Sequence, residues 1–180
     1  MRSRMETAHR AKVDSGRKHT SASESEKFMR LALREARRGM NEGEVPIGAV
    51  VVREGVVIAK AHNAPVHRRD PTAHAEVLAL RRAARKLGNY RLNGCCLYVT
   101  IEPCAMCAGA LVLARVRELI FGASDPKAGA LGSALTVLNH PKLNHQIVVH
   151  GGVLENDCAS ILRDFFQQRR EQARRRRSDL

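Results

Sequence analysis

Apolar positions along the chain change period several times, and each change marks an element. Phe28, Leu31, Ala32 and Ala36 recur at helical spacing behind Ser23-x-x-Glu26, which has the form of a capping box, and Gly39 supplies a stop. This predicts a helix over 24–38. The pattern then becomes strand-like in Val45-Pro46-Ile47-Gly48-Ala49-Val50-Val51-Val52 and in Val56-Val57-Ile58-Ala59, and the short link Arg53-Glu54-Gly55 makes the pair a β-hairpin. A loop from Asn63 to Asp70 leads to Pro71, which opens a helix over 72–87 closed by Gly88. Cys95 to Ile101 is a third strand. A helix begins inside the Cys-x-x-Cys that follows it and runs to about Arg115, and Arg117 to Phe121 is a fourth strand. Beyond a Gly-rich loop over 122–132, a short helical piece near 133–138 and a fifth strand over 146–149 are expected. The last helix, over 154–175, sets Leu154, Cys158, Ile161, Leu162, Phe165 and Phe166 on one side.

After the hairpin, helices and strands alternate. Such alternation predicts an α/β fold, a five-stranded mixed sheet with helices on both faces, in which right-handed crossovers make strands three to five parallel. No internal repeat and no second domain is visible. Residues 1–22 mix Arg, Lys, Ser and Gly without periodicity and read as a disordered basic arm; 23–173 form the folded domain; 174–180 are a basic tail.

Composition adds three points. A chain of 180 residues that is 44% hydrophobic and 27% charged has enough material for one real core. No apolar run approaches the ~20 residues that span a bilayer, so no membrane association and a cytoplasmic location are expected. A net charge of +13 predicts attraction to polyanions, nucleic acid first, although both arginine-rich ends inflate that sum. Five cysteines, two of them in a Cys-x-x-Cys, fit a metal site in a reducing compartment better than a disulfide frame.

The chemistry concentrates between Asp70 and Gly109. His74 and Glu76 lie in Pro71-Thr72-Ala73-His74-Ala75-Glu76, and Cys104 and Cys107 in Glu102-Pro103-Cys104-Ala105-Met106-Cys107. Imidazole and thiolate are zinc ligands, and three of them make an open catalytic site where four would make a closed structural one. Cys104 and Cys107, three apart at a helix start, lie on one face and can reach one ion. The helix N-terminus favours their thiolates. Glu76 is placed to move protons beside zinc-activated water, accepting one from water and delivering it to a ring nitrogen and then to a leaving amine. In a regular helix His74 and Glu76 would not face one way, so they should flank the metal. The bland alternative is a structural site closed by Cys95, Cys96 or Cys158, which would leave Glu76 without a task. Cys95 and Cys96, adjacent on a strand, must point to opposite faces.

His-x-Glu followed by Pro-Cys-x-x-Cys is the general signature of zinc nucleobase deaminases. Beyond it, Asn41-Glu42-Gly43-Glu44-Val45-Pro46-Ile47-Gly48-Ala49-Val50, Leu97-Tyr98-Val99-Thr100-Ile101-Glu102-Pro103-Cys104 and Phe121-Gly122-Ala123-Ser124-Asp125-Pro126-Lys127 closely resemble the bacterial tRNA-specific adenosine deaminases, from about Glu24 to Arg170. The resemblance implies a cytidine deaminase-like three-layer α/β/α sandwich, a homodimer, one Zn²⁺ per subunit, and hydrolysis of the wobble adenosine of a tRNA anticodon stem-loop to inosine. It implies zinc ligation by His74, Cys104 and Cys107, and proton transfer by Glu76. Asn63 would bond the flipped base, Val45 would wall the pocket, and Asp125 would contact the neighbouring nucleotide. Phe165, Phe166, Arg169 and Arg170 would lie near the anticodon loop, although the two Phe also fit the apolar face of the last helix. Ser124 stands where well-known members carry arginine, and the arm before Glu24 has no counterpart in the shorter ones. The alternatives are a free-base or nucleoside deaminase acting on guanine, cytosine or cytidine, and a non-catalytic RNA-binding subunit, which would be expected to lack Glu76 or a ligand.

Overall fold

A computed structural model describes residues 22–138, 140 and 142–178. The arm expected over 1–22 falls outside them except for Ala22, the first residue described in helix α1 (Ala22–Asn41). Ser23 therefore lies in the first turn of α1, not at its cap. Strands β1 (Gly48–Arg53) and β2 (Val56–His62) follow, joined by Glu54 and Gly55. Both linking residues have positive φ, 52° and 75°, the backbone of a tight type I′ turn. β1 starts at Gly48, later than the apolar run implied. Pro46 has no N–H to give a ladder, and the Ile47 N–H closes on the Val45 carbonyl at 2.8 Å. Val45 is thereby left in a loop.

The chain continues as α2 (Pro65–Arg68), α3 (Ala75–Leu87), β3 (Cys95–Ile101), α4 (Ala105–Leu113), β4 (Glu118–Ala123), β5 (Val148–His150) and α5 (Glu155–Ser178). The sheet order is β2-β1-β3-β4-β5. β1 runs antiparallel to β2 and to β3, while β3, β4 and β5 are parallel. Alternate side chains feed two cores. Val51, Leu97, Val99 and Leu119 pack under α3 and α4 with Leu78 and Leu111. Val50, Val52, Tyr98 and Ile120 pack under α1 and α5 with Phe28, Met29, Cys158 and Ile161. The result is the expected α/β/α sandwich. Cys95 and Cys96 fall into opposite cores, as alternation along a strand requires.

Three local expectations need correction. The helix expected from residue 72 starts at Ala75, because Asp70 Oδ1 accepts both the N–H and the hydroxyl of Thr72 (2.8 and 2.7 Å) and holds the chain in one more turn. The piece near 133–138 is not helical. Its amides are taken elsewhere: Ser133 N–H goes to the buried Glu102 carboxylate (3.4 Å), Ala134 and Leu135 to the Gly129 carbonyl (3.1 and 2.9 Å) and Val137 to that of Ala130 (2.9 Å), while Leu131 bridges to Thr136. The tail expected from 174 is, through Ser178, the continuation of α5.

Gly48 sets how closely α1 approaches the sheet. A Cβ there would collide with the Ala32 carbonyl oxygen and come within 2.6 Å of the Ala36 nitrogen, both α1 backbone. Gly109, inside α4, has nothing within 4 Å of the same position. In urea unfolding at fixed protein concentration, Gly48→Ala should cost about 1–3 kcal/mol or more. Gly109→Ala should be neutral or stabilising by up to about 1 kcal/mol. Equal effects would mean that α1 does not sit on β1 this closely.

Candidate metal centre and active site

Strand direction decides where the chemistry collects. Because β1 runs against both β2 and β3, those two strands end at the same edge of the sheet, where Gly48 pairs with His62 and Ala49 with Val99. The helices that come after them, α3 and α4, start at that edge. His74 is the N-cap of α3 (φ −73°, ψ 150°) and Cys104 the N-cap of α4 (φ −73°, ψ 173°), both extended. The extended backbone at His74 removes the difficulty of two residues two apart on a helix: His74 precedes the helical path and Glu76 is on it. His74 spends no side-chain bond on its cap. The open amide of Ala75 is instead met by Asn63 Oδ1 at 2.8 Å.

His74 Nδ1 lies 3.7 Å from Cys104 Sγ and 3.6 Å from Cys107 Sγ, and all three donor atoms fall within 4.8 Å of one another. A tetrahedral zinc with bonds of ~2.3 Å to sulfur and ~2.0–2.1 Å to nitrogen separates such donors by about 3.6 Å. Among the described residues no other His, Cys, Asp or Glu joins this cluster. Cys95, Cys96 and Cys158 are buried in the two cores, so the four-ligand alternative has no third cysteine at hand. The donor set and its spacing fit zinc with one position open.

The charges in the cluster are coupled. Cys104 accepts hydrogen bonds from the Cys107 thiol and the His74 imidazole, which bring its pKa down to about 3, while contact with Cys104 raises that of His74. The Cys107 thiol is pushed up by the same contact and by burial. Metal ligation by such thiols requires their deprotonation, so binding a divalent cation would release protons. Glu76, in the first turn of α3, is buried, and its Oε2 has no hydrogen-bond partner. Burial raises its pKa, against the pull of its own backbone amide and of His74 and Cys107. An unpaired buried carboxylate oxygen is costly, and its place beside three ligands gives it a task.

The other candidates divide into groups. Asn63 is buried with its carbonyl oxygen committed to Ala75, and Val45 is half-buried in its loop. Asp125 lies on the loop after β4, where its Oδ1 accepts the N–H groups of Lys127 (2.9 Å) and Ala128 (3.2 Å). A groove of about 560 Å³ sets Asp125 and the exposed Ser124 against Phe166 and Arg170 of α5. Phe165 and Phe166 part company here. Phe166 is 45% exposed, whereas Phe165 is 7% exposed, packed edge-to-face on Phe166 and overlaid by Arg169 at 5.9 Å. Phe165 is therefore buried, as the apolar-face reading of the last helix expects, and Phe166 is the more exposed of the two.

Two buried carboxylates went unread in the sequence. Glu102 Oε2 accepts the Asp125 N–H (3.1 Å) and the Ser133 hydroxyl, and its Oε1 holds Leu131. Burial opposes its charge, but Ser133 and the amides of Leu131 and Asp125 keep its pKa below the usual carboxylate range. Glu44 accepts the N–H groups of His67 (2.7 Å) and Val66 (3.3 Å), tying the Val45 loop to α2. The available signal was an acidic residue one or two positions before a proline, at the end of an apolar run for Glu102 and at the start of one for Glu44.

Comparison with known proteins agrees with this geometry. The family model described as MafB19-like deaminase matches residues 23–170. A tRNA-specific adenosine deaminase of Bacillus subtilis is 45% identical over 157 residues, covering 87% of this chain and 98% of that protein. A solved structure from studies of A-to-I editing by tRNA:A34 deaminases superposes with a TM-score of 0.73 at 48% identity, covering 76% of this chain and 99% of the other. A guanine deaminase from Nitrosomonas europaea superposes at 0.68 with 30% identity, covering 78% and 83%. With its ligand cluster, its buried Glu76 and these relatives, the chain belongs to the tRNA-specific adenosine deaminase family of the MafB19-like deaminases.

Proposed function

We propose that this chain hydrolyses the wobble adenosine of a tRNA anticodon to inosine. The observation that carries the reaction is the buried, unpaired Glu76 Oε2 beside His74, Cys104 and Cys107 at two converging helix N-termini. Those three residues would hold zinc, one per subunit, which when bound supplies the Lewis acidity that makes water nucleophilic near neutral pH. Glu76 accepts the proton of the water that attacks C6 and passes it to N1 of the ring. It then takes the remaining proton from the new C6 hydroxyl and gives it to the amine, which leaves as ammonia as the C6 carbonyl forms. Burial suits Glu76 to hold a proton between these transfers, because it lowers the cost of the neutral acid. Asn63, with its oxygen engaged, would donate from Nδ2 to the base, and Val45 would wall the pocket.

Support for RNA over a free base comes from the groove. Asp125, Phe166 and Arg170 meet there, offering a stackable ring and a cation beside a held loop. A free purine fills its pocket and has no use for such a surface. Free-base deamination is the second reading, favoured by the likeness to the guanine deaminase. A cytoplasmic location is part of the same proposal, drawn from the tRNA substrate. Among the described residues, no helix is long and apolar enough to cross a membrane.

The zinc-loaded protein, incubated separately with tRNA, guanine and cytidine, should form inosine in tRNA and neither xanthine nor uridine. Glu76→Gln should keep zinc and lose at least ~10²-fold in rate. Xanthine as the main product, or Glu76→Gln at wild-type rate, would contradict the reading.

A homodimer fits the same structure. Every residue of α4, Ala-Met-Cys-Ala-Gly-Ala-Leu-Val-Leu, is apolar or glycine, and a helix without a polar face is normally covered on all sides. Its inner face packs in the core, but Leu113 is 75% exposed, beside Tyr90 at 66%. A second copy of this chain is the proposed cover. Light scattering should give a dimer for the wild type and a shift to monomer, with zinc retained, for Leu113→Glu. A monomeric wild type would contradict this.

A further inference from the structure

The family match ends at Arg170, yet α5 continues to Ser178. That excess length carries a pattern. At ~100° per residue, Arg163, Arg170 and Arg174 fall within roughly 40° of one another on the helix, spread along about 16 Å of its axis. All three are exposed. Arg163 and Arg170 line the groove together with Phe166, Gln167 and Lys127, opposite Ile101 and Ala123, the last residues of β3 and β4. Since β2 and β3 end at one edge and β4 runs parallel to β3, α5 passes the sheet at the edge that holds the ligand cluster. Arg174 is the next member of that row beyond the groove.

The row is net cationic. Asp125, the groove's only carboxylate among its lining residues, has Oδ1 accepting from its own loop. Asp164 lies off the row by roughly 80–120° and Glu171 by roughly 60–100°, and Glu171 Oε1 accepts from Gln167 Nε2 at 3.0 Å. Arg175, by contrast, sits roughly 100° from Arg174 and turns away from the groove face.

We propose that Arg163, Arg170 and Arg174 form one track for the phosphate backbone of the RNA substrate, in which the C-terminal extension of α5 adds a contact outside the family-matched region. This rests on the RNA reading above. Chemically the occupant is a polyanion with bases to stack: the charges repeat along a line, and an exposed aromatic ring lies beside them. A net basic surface alone would attract RNA through any arginine, whereas a track requires the arginines of one helix face.

Binding of a labelled anticodon stem-loop to zinc-loaded, full-length protein separates the two, with Glu76→Gln in the background to prevent turnover. Arg174→Glu should weaken binding several-fold and reduce the slope of log Kd against log potassium chloride by ~1 or more. Arg175→Glu, the same charge change one residue away, should leave both nearly unmoved, and Arg174→Lys should restore most of the loss. In active protein, Arg174→Glu should raise KM for RNA with kcat unchanged. Equal losses in the Arg174 and Arg175 variants would overturn the track in favour of net charge, and no loss in either would overturn it outright. Failure of the wild-type chain to form inosine in tRNA would instead overturn the function it rests on, and the paired Kd values would still decide the track.

Discussion

The antiparallel seat of β1 between β2 and β3 is the constraint on which the site depends. It makes β2 and β3 end together, so that α3 and α4 begin side by side with their first residues facing one point. Each helix contributes an extended N-cap residue, His74 or Cys104, and a second candidate residue within its first turn, Glu76 or Cys107. Helix N-termini favour anionic groups, so thiol and carboxyl side chains are gathered where the helix dipoles support their charge. Cores on both faces hold this arrangement, and Gly48 permits the closeness of α1 that seals one of them.

A second layer of order comes from buried carboxylates that bind backbone and no ligand. Glu102 closes the end of β3 onto the loop after β4, fixing Asp125 and Ser133 through their amides. Gly129 is what lets that loop approach, since a Cβ there would strike the Glu102 carboxylate and the Asp125 carbonyl. Glu44 does the same between the Val45 loop and α2. Both carboxylates convert irregular backbone, which would otherwise leave amides unmet, into fixed walls around the site.

Legibility in the sequence followed the range of the interactions. The alternating strands, the Glu54-Gly55 turn and the helix end at Gly88 are local, and alternation alone sends Cys95 and Cys96 to opposite cores. The ligands were legible because zinc demands particular side chains at short spacings, two of them three residues apart. What escaped was side-chain capture of backbone and tertiary packing. Residues 133–138 look helical, but Ser133 gives its amide to a carboxylate some 30 positions away and the next amides turn back to Gly129 and Ala130. The start of α3 moved by one turn of chain through a local bond, because Asp70 holds Thr72. Phe165 and Phe166 are neighbours of the same type, and only packing against the sheet distinguishes the buried ring from the exposed one.

The account stands on a site with three protein ligands and one open position, because that opening is what makes Glu76 a proton carrier and not a buried liability. X-ray absorption at the zinc edge of the loaded protein tests it directly. Two sulfurs at ~2.3 Å and two nitrogen or oxygen neighbours at ~2.0–2.1 Å, one of them exchangeable with an added competing ligand, are the predicted shell. A third sulfur, or a shell that no added ligand can enter, would mean a closed structural centre and would contradict it.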